Sequence, residues 1–234
     1  MDLKDLLTIV IPCKNESGII VTALNLLNSQ KNIDGTTVIV ADDSDDGTKE
    51  ILKSCNSYRF NLCVINGGLP GKARNAGARL VTTPYVLFMD ADIFILDMNL
   101  LSECIDSIKN NNLDLLTTKV RTSNGNYNYV FRCFDLIQKL IKPFTPFCLG
   151  GFMMFRTQTF QNLGGFDEDA KVAEDYLLSK KISNGKFGIL RKNIFTPARR
   201  FENKGIWYML KLMCKSYLHR NNKEFFSGHK TYWK

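Results

Sequence analysis

Tyr85-Val86-Leu87-Phe88-Met89-Asp90-Ala91-Asp92-Ile93-Phe94-Ile95-Leu96 decides how this chain is read: five apolar residues run into two acids, and four more apolar residues follow. A strand that is apolar at every position is buried on both faces, which is the habit of a parallel sheet covered by helices. The acids are the sharper feature. In an extended chain residues two apart point the same way, about 7 Å apart at Cα. Two carboxylates forced together beside a core are costly unless a cation neutralises them. A hard divalent ion, Mg2+ or Mn2+, held by few protein oxygens plus ligand phosphates would satisfy both. The plainer alternative makes one Asp the N-cap of the next helix and the other a surface turn.

Working outward, the same rhythm recurs on both sides. Leu7–Ile11, Thr36–Ala41, Leu62–Ile65 and Asp114–Thr118 read as strands alongside 85–89. Between them the spacing predicts helices over Glu16–Gln30, Thr48–Cys55, the segment bearing Ala73, Ala76, Gly77 and Leu80, and Asn99–Asn110. This alternation predicts an α/β fold with a mostly parallel central sheet flanked by helices. After Thr118 the pattern loosens: a polar stretch at 122–128, an amphipathic helix ending near Pro143, a strand at Gly151–Phe155, a helix at Val172–Ser183, a strand at Phe187–Leu190 and a helix over 204–220. No linker separates two domains. The reading is one domain over 1–234, with a ligand-binding half at 1–118, a less regular half at 119–203 and a basic helix and tail at 204–234.

The 234 residues are enough for one large core, and 44% hydrophobic with 23% charged residues excludes disorder, collagen and coiled coil. No apolar run approaches the roughly 20 residues that span a bilayer. The start, Met1 to Cys13, lacks the basic region and cleavage site of a signal peptide, so the expectation is a mature chain beginning there, in the cytoplasm. Seven cysteines stand singly with no C-x-x-C pair, which removes zinc-ribbon and thioredoxin readings and suggests reduced, core-packed thiols. The net charge of +8 is uneven: residues 171–234 hold 15 Lys and Arg against 4 Asp and Glu, so an anionic partner is expected on that side.

In an open parallel sheet, ligands sit beyond the carboxyl ends of the strands. Four such ends here are polar or charged: Pro12–Glu16, Asp42–Thr48, Asn66–Asn75 and Asp90–Asp92. The Asn66–Asn75 loop fails as a Walker A motif, since its first Gly is one residue too close to Gly71-Lys72 and Ala73 replaces the Ser or Thr. What it retains is two cations, Lys72 and Arg74, in the first turn of a helix, where the macrodipole disfavours them. A bound anion, or the Asp43 and Asp90 carboxylates, would relieve that; two surface cations without a role are the alternative. In the acidic stretch, Asp45 or Asp46 can cap the following helix, and Asp43 is the candidate for a polar ligand edge. Glu174 and Asp175 open a helix, where acids are also favoured for purely electrostatic reasons.

Taken in order, TIVIPCKNE (8–16), VADDSDDGT (40–48), GLPGKARNAGA (68–78), FMDAD (88–92), GGFMMFR (150–156) and GGFDE with AEDY (164–176) resemble the family 2 glycosyltransferases, inverting enzymes of the Rossmann-like GT-A fold. The likeness runs from about Leu7 to Arg200. It implies that Asp43 contacts the nucleotide base and Pro12, Asn15 and Glu16 the base and ribose, with Lys72 and Arg74 beside the base or phosphates. Asp90, Ala91 and Asp92 become the D-x-D motif, with Asp90 and Asp92 on the ribose and on the Mn2+ or Mg2+ that holds the diphosphate. Gly150, Gly151 and Glu174 line the acceptor pocket, and Asp175 is the catalytic base. The implied donor is a UDP-sugar by family habit, and the acceptor a glycan, a lipid-linked group or a protein.

The departures matter too. The Q-x-x-R-W motif of processive synthases is absent; Thr196–Phe201 stands near its place, so Arg199 and Arg200 are expected over the diphosphate. His219 and His229 are expected to be surface residues rather than metal ligands. The 204–220 helix, with Lys204, Lys211, Lys215 and His219 on one side, either packs over the acceptor side or lies on a membrane. Three rivals explain less. A haloacid-dehalogenase phosphatase wants Thr where Phe94 stands, a sugar nucleotidyltransferase needs a Gly-rich basic motif after the first strand, and a nucleic-acid-binding domain leaves the carboxylates idle; nucleic acid is therefore not an expected partner.

Overall fold

The first strand, Leu7–Cys13 (β1), lies near the middle of a seven-stranded sheet because its side chains are apolar on both faces. The computed structural model describes residues 2–55, 57–219 and 222–228. β1 pairs in parallel with Thr37–Asp42 (β2) and Tyr85–Met89 (β4), and β2 pairs in parallel with Asn61–Asn66 (β3). Beyond β4 comes Phe152–Arg156 (β6), antiparallel to both β4 and Leu115–Thr122 (β5), and β5 pairs in parallel with Phe187–Thr196 (β7). The order is therefore β3-β2-β1-β4-β6-β5-β7, a mostly parallel sheet in which only β6 runs against its neighbours. Strand order reverses between β1 and β4, so a crevice opens where their carboxyl ends diverge.

Helices cover the sheet: Ile20–Asn28 (α1), Thr48–Ser54 (α2), Pro70–Ala78 (α3), Leu100–Asn110 (α4), Asn128–Ile141 (α5) and Thr157–Asn162 (α6). Alternate strand residues feed two cores. Ile9, Ile11 and Leu87 join one with α1 and α4, while Val10, Phe88 and Phe155 join the other with Phe160 and Phe166. α3 presses directly onto β1 at Gly77, where a Cβ would stand 2.4 Å from Val10 Cγ1. Three of the seven cysteines, Cys13, Cys104 and Cys148, are buried, and all seven are free thiols.

The structure corrects several expected boundaries. α1 starts at Ile20 rather than Glu16, because Asn15 turns through a left-handed conformation (φ 56°) and the chain needs 16–19 to recover. The helix expected over 172–183 is the shorter Glu174–Ser179 (α7), set off by Ala173 at φ 55°. β7 continues to Thr196 as an edge strand with one exposed face, which does not require unbroken apolarity. The basic helix is two: Arg199–Lys204 (α8) and Ile206–Leu218 (α9), separated by Gly205 at φ 76°. Lys204 thus belongs to α8, not to the face bearing Lys211 and Lys215. A last helix, Lys223–Ser227 (α10), packs Phe226 against Ala170 and Val172. Among the described residues no helix is long and apolar enough to cross a membrane.

Candidate functional site

The carboxyl ends of β1, β2 and β4 open into a cleft of about 1080 Å³. Its walls include Pro12, Asn15, Glu16, Asp43, Arg74, Asp90, Ala91, Asp92, Gly150, Gly151, Glu174, Asp175, Arg199 and Arg200, so nearly every residue singled out in the sequence lies on one surface. Lys72 is the exception: it is exposed, its aliphatic stem runs against Gly68, and it is not part of the cleft wall.

The loops after β1 and β2 are laced together. Asn15 N donates to Ser44 Oγ (2.8 Å), Asp45 N to Asn15 Oδ1 (3.0 Å), Glu16 N to Thr48 Oγ1 (3.0 Å) and Ser17 N to Asp46 Oδ2 (3.2 Å). Asp46 also accepts from Thr48 Oγ1 (2.5 Å) and Thr48 N (3.1 Å), although Gly47 rather than an Asp takes the N-cap position of α2, and these donors, the Thr48 hydroxyl foremost, hold its carboxyl down at about 2. Asp42 is buried and accepts from Ser44 Oγ (2.6 Å). The acidic run is thus largely consumed in building the loop. Asp43 remains half-exposed at the cleft wall, paired with Lys14 at 2.9 Å rather than with Arg74 or Lys72. Lys14 was not singled out in the sequence, although it sits inside the quoted motif.

Arg74 is the buried hub of the site, 1% exposed. It donates from Nη1 to Glu174 Oε1 (2.5 Å) and from Nη2 to Asp90 Oδ1 (2.7 Å), and its guanidinium lies 5.2 Å from the Phe166 ring centroid. Burial opposes its charge, but the Asp90 and Glu174 carboxylates outweigh that and its pKa is raised. The expected first-turn position does not hold for Arg74, because α3 begins at Pro70 and Arg74 is its fifth residue; Asp90, as expected, and Glu174 neutralise its charge. This arrangement also changes the expected positions of both partners. Arg74 and Glu174 are bound to each other at the cleft floor, not extended into it.

Asp90 and Asp92 do not lie on an extended ribbon. Ile93 N donates to Asp90 O (3.2 Å) and closes a tight turn, so the two carboxylates serve different cations. Asp90 goes to Arg74. Asp92 receives Arg199 Nη2 (3.1 Å), which also donates to both carboxylate oxygens of Glu16 (3.0 and 2.9 Å). Even so, burial and the Asp90 charge push the Asp92 carboxyl above its usual value, against the pull of Arg200 and Arg199. Burial likewise raises Glu16, with Arg199 opposing and the Asp92 and Asp90 charges adding. Asp92 and Glu16 thus share a single guanidinium, that of Arg199.

Among the described residues no cluster of three or more His, Cys, Asp or Glu side chains is arranged to hold a metal ion. Two carboxylates on one turn still fit Mg2+ or Mn2+, which bind through one or two carboxylates and complete their shell with waters and ligand phosphates. His219 stacks on Phe225 (ring centroids 4.6 Å apart) and does not line the cleft; His229 lies outside the described residues.

Asp175 lines the same cleft, beside Gly150 and Arg74. Its Oδ2 accepts from Gly150 N (2.6 Å) and its Oδ1 from Tyr176 N (2.7 Å). Burial and then the Glu174 charge push its carboxyl up to about 7, with Arg74 and the two backbone donors pulling the other way. A carboxyl poised there exchanges a proton near neutrality. Gly150 has to be small, since a Cβ would lie 3.1 Å from both Asp175 Oδ2 and Arg74 Nη2. Ala173, just before this helix turn, holds the left-handed backbone that L-residues avoid, and such strain collects at functional sites.

A mostly parallel sheet with one reversed strand and an acid-bearing turn at the strand-order switch defines the GT-A class of nucleotide-diphospho-sugar transferases. Solved structures of that class superpose on it. Staphylococcus aureus TarS 1–349 in complex with UDP matches at a TM-score of 0.65 and 24% identity, over 82% of this chain and 60% of that one. The mannosyltransferase PcManGT of Pyrobaculum calidifontis, in complex with GDP-Man and Mn2+, matches at 0.70 and 19% identity, over 91% of this chain and 61% of that one. The Glycosyl transferase family 2 model matches residues 8–164, and the chain belongs to that family. Its sequence relatives include the processive diacylglycerol beta-glycosyltransferase of Mycoplasma genitalium, 27% identical over 88% of this chain and 58% of that protein. Another is the poly(ribitol-phosphate) beta-glucosyltransferase of Bacillus spizizenii, 30% identical over 76% of this chain and 30% of that protein. The chain therefore spans 58% and 30% of the lengths of these two relatives.

Proposed function

We propose that the chain is an inverting, metal-dependent glycosyltransferase that moves a sugar from a nucleotide-diphosphate donor, a UDP-sugar, to the hydroxyl of an acceptor. The observation that supports this best is the cleft itself, whose wall brings together Asp175, its carboxyl pushed up to about 7, and the Asp90 and Asp92 carboxylates of one turn. Pro12, Asn15, Glu16 and Asp43 form the nucleoside end, and Asp43 accepts N–H groups from the base. Asp92, with Asp90, is where Mn2+ or Mg2+ would be held; that ion, when bound, supplies the charge that stabilises the departing diphosphate. Arg199 and Arg200 lie over the same leaving group, Arg199 exchanging its contacts with Glu16 and Asp92 for phosphate oxygens. Asp175 takes the proton of the acceptor hydroxyl as that oxygen attacks the sugar from the ring face opposite the diphosphate, a contribution of about 10²–10⁴ in rate. Arg74 touches neither partner; it keeps Glu174 and Asp90 in place and tunes Asp175.

A thermal-shift panel of nucleotide sugars with and without Mn2+, followed by donor hydrolysis on the best hit, tests the reading. Stabilisation by one nucleotide class that grows with Mn2+, together with slow release of that nucleotide, is expected. No stabilisation by any nucleotide sugar would reject it. A diacylglycerol glycosyltransferase and a poly(ribitol-phosphate) glucosyltransferase among its relatives are consistent with a hydroxyl-bearing acceptor.

A further inference from the structure

Beyond Asp175 the cleft changes character. Its far walls are α5 and α9, and they present Val130, Phe134 and Ile141 from one helix and Leu210, Leu212 and Met213 from the other. A sugar acceptor needs hydrogen-bond partners along its length, whereas walls of this kind suit hydrocarbon. The apolar surface does not close over. Among the wall residues Ile137 is 42% exposed and Leu218 72%, and on the outer side of α5 Leu136 is 58% and Leu140 63%. α9 carries ten apolar residues in thirteen, yet its only buried residue is Ser216. The helix lines the cleft without burying its apolar residues in the core. α9 also holds Lys211 and Lys215 one turn apart and no acid, and α5 ends in Lys139 and Lys142. Unburied aromatic and aliphatic side chains beside lysines fit a helix lying in a bilayer interface, its cations on anionic headgroups.

We propose that this channel receives the hydrocarbon of a membrane lipid, and that the acceptor is a hydroxyl of that lipid, presented to Asp175 from the bilayer surface on which α5 and α9 rest. The inference rests on the transfer reading above and names its acceptor class. In the step, the lipid oxygen bonds to the anomeric carbon as the bond from that carbon to the diphosphate oxygen breaks. The hydroxyl proton goes to Asp175, and the electron pair leaves with the nucleoside diphosphate.

The test gives the full chain radiolabelled UDP-sugars, Mn2+ and vesicles of phosphatidylcholine, phosphatidylglycerol and diacylglycerol, the last two being the hydroxyl-bearing probes. Label is expected in the chloroform phase, and the protein should sediment with phosphatidylglycerol vesicles but not with phosphatidylcholine alone. The double change Leu136→Glu/Leu140→Glu alters exposed side chains outside the cleft wall. It should cut sedimentation and lipid labelling by roughly tenfold or more while leaving the UDP thermal shift intact. A UDP-stabilised protein that puts no label into the lipid phase overturns the proposal, as does lipid labelling that the double glutamate leaves unchanged. Absence of any UDP response rejects the transfer reading itself, which separates the two failures.

Discussion

Removing the Arg74 guanidinium is the most searching perturbation of this site. Arg74→Met keeps an unbranched side chain in the same space but leaves Glu174, with a side chain only 5% exposed, and Asp90, 26% exposed, without their shared cation. Breaking a buried ion pair by deleting one partner costs about 3–5 kcal/mol. Against a total stability of about 5–15 kcal/mol that is a large share. For a chain of this size it corresponds to a Tm lower by roughly 6–20 °C, readable by circular dichroism or scanning calorimetry. Removing both charges distinguishes an ion pair from mere packing. In Arg74→Met/Glu174→Leu no buried carboxylate is stranded at Glu174, so the double variant should recover more than about 1 kcal/mol relative to the single. The catalytic readout moves as well. Arg74 pulls the Asp175 carboxyl down, so its loss should carry the midpoint of the pH–rate curve further to the alkaline side. A Tm drop below about 2 °C, or a double variant no more stable than the single, would refute the ion-pair reasoning.

Further outcomes follow from the same geometry. Asp175→Asn should retain the UDP thermal shift and lose about 10²–10⁴ in transfer rate, and undiminished turnover would reject its role as base. In the unaltered protein, activity should climb as pH rises through about 7, because the base works only when deprotonated and burial holds its proton that high; a flat profile from pH 5 to 9 would contradict this. Gly150→Ala forces a methyl to within 3.1 Å of Asp175 Oδ2 and Arg74 Nη2, so kcat should fall more than thermal stability does. Arg199→Ala frees Glu16 and Asp92 of their present counter-charge and should raise the affinity for Mn2+ alone while weakening UDP binding, both measurable by calorimetry. Ala173→Gly relieves a left-handed backbone worth about 1 kcal/mol and should raise Tm by a few degrees.

The first half of the fold was legible because its strands are apolar on both faces and their helices keep a 3.6-residue period, from Leu7 to Thr118. The seven-stranded sheet then gains β6, β5 and β7, whose adjacency depends on a reversed strand that no local pattern announces. The site residues after β1 to β4 are legible as polar strand ends, whereas Gly150, Gly151, Glu174, Asp175, Arg199 and Arg200 are legible as site residues only through the family resemblance; all but Lys72 line one cleft. The partners of these residues are not legible. The sequence pattern predicts Asp90 and Asp92 side by side on extended chain, whereas a turn sends one to Arg74 and the other to Arg199. Arg199 approaches Glu16 across 183 positions, a contact that spacing alone cannot foretell. α8 is too short, at six residues, to show a helical period of its own in the sequence. The apolar residues of α5 and α9 are visible as composition, but that both helices line one cleft is a tertiary fact.

Crystals grown with UDP and Mn2+ and measured at the manganese absorption edge offer the shortest route to the heart of the account. An anomalous peak within coordination distance of the Asp92 carboxylate, bridging to the diphosphate with Arg199 swung off Glu16, is the predicted result. A diphosphate bound elsewhere, or manganese absent from the turn while Arg199 still spans Glu16 and Asp92, would contradict it.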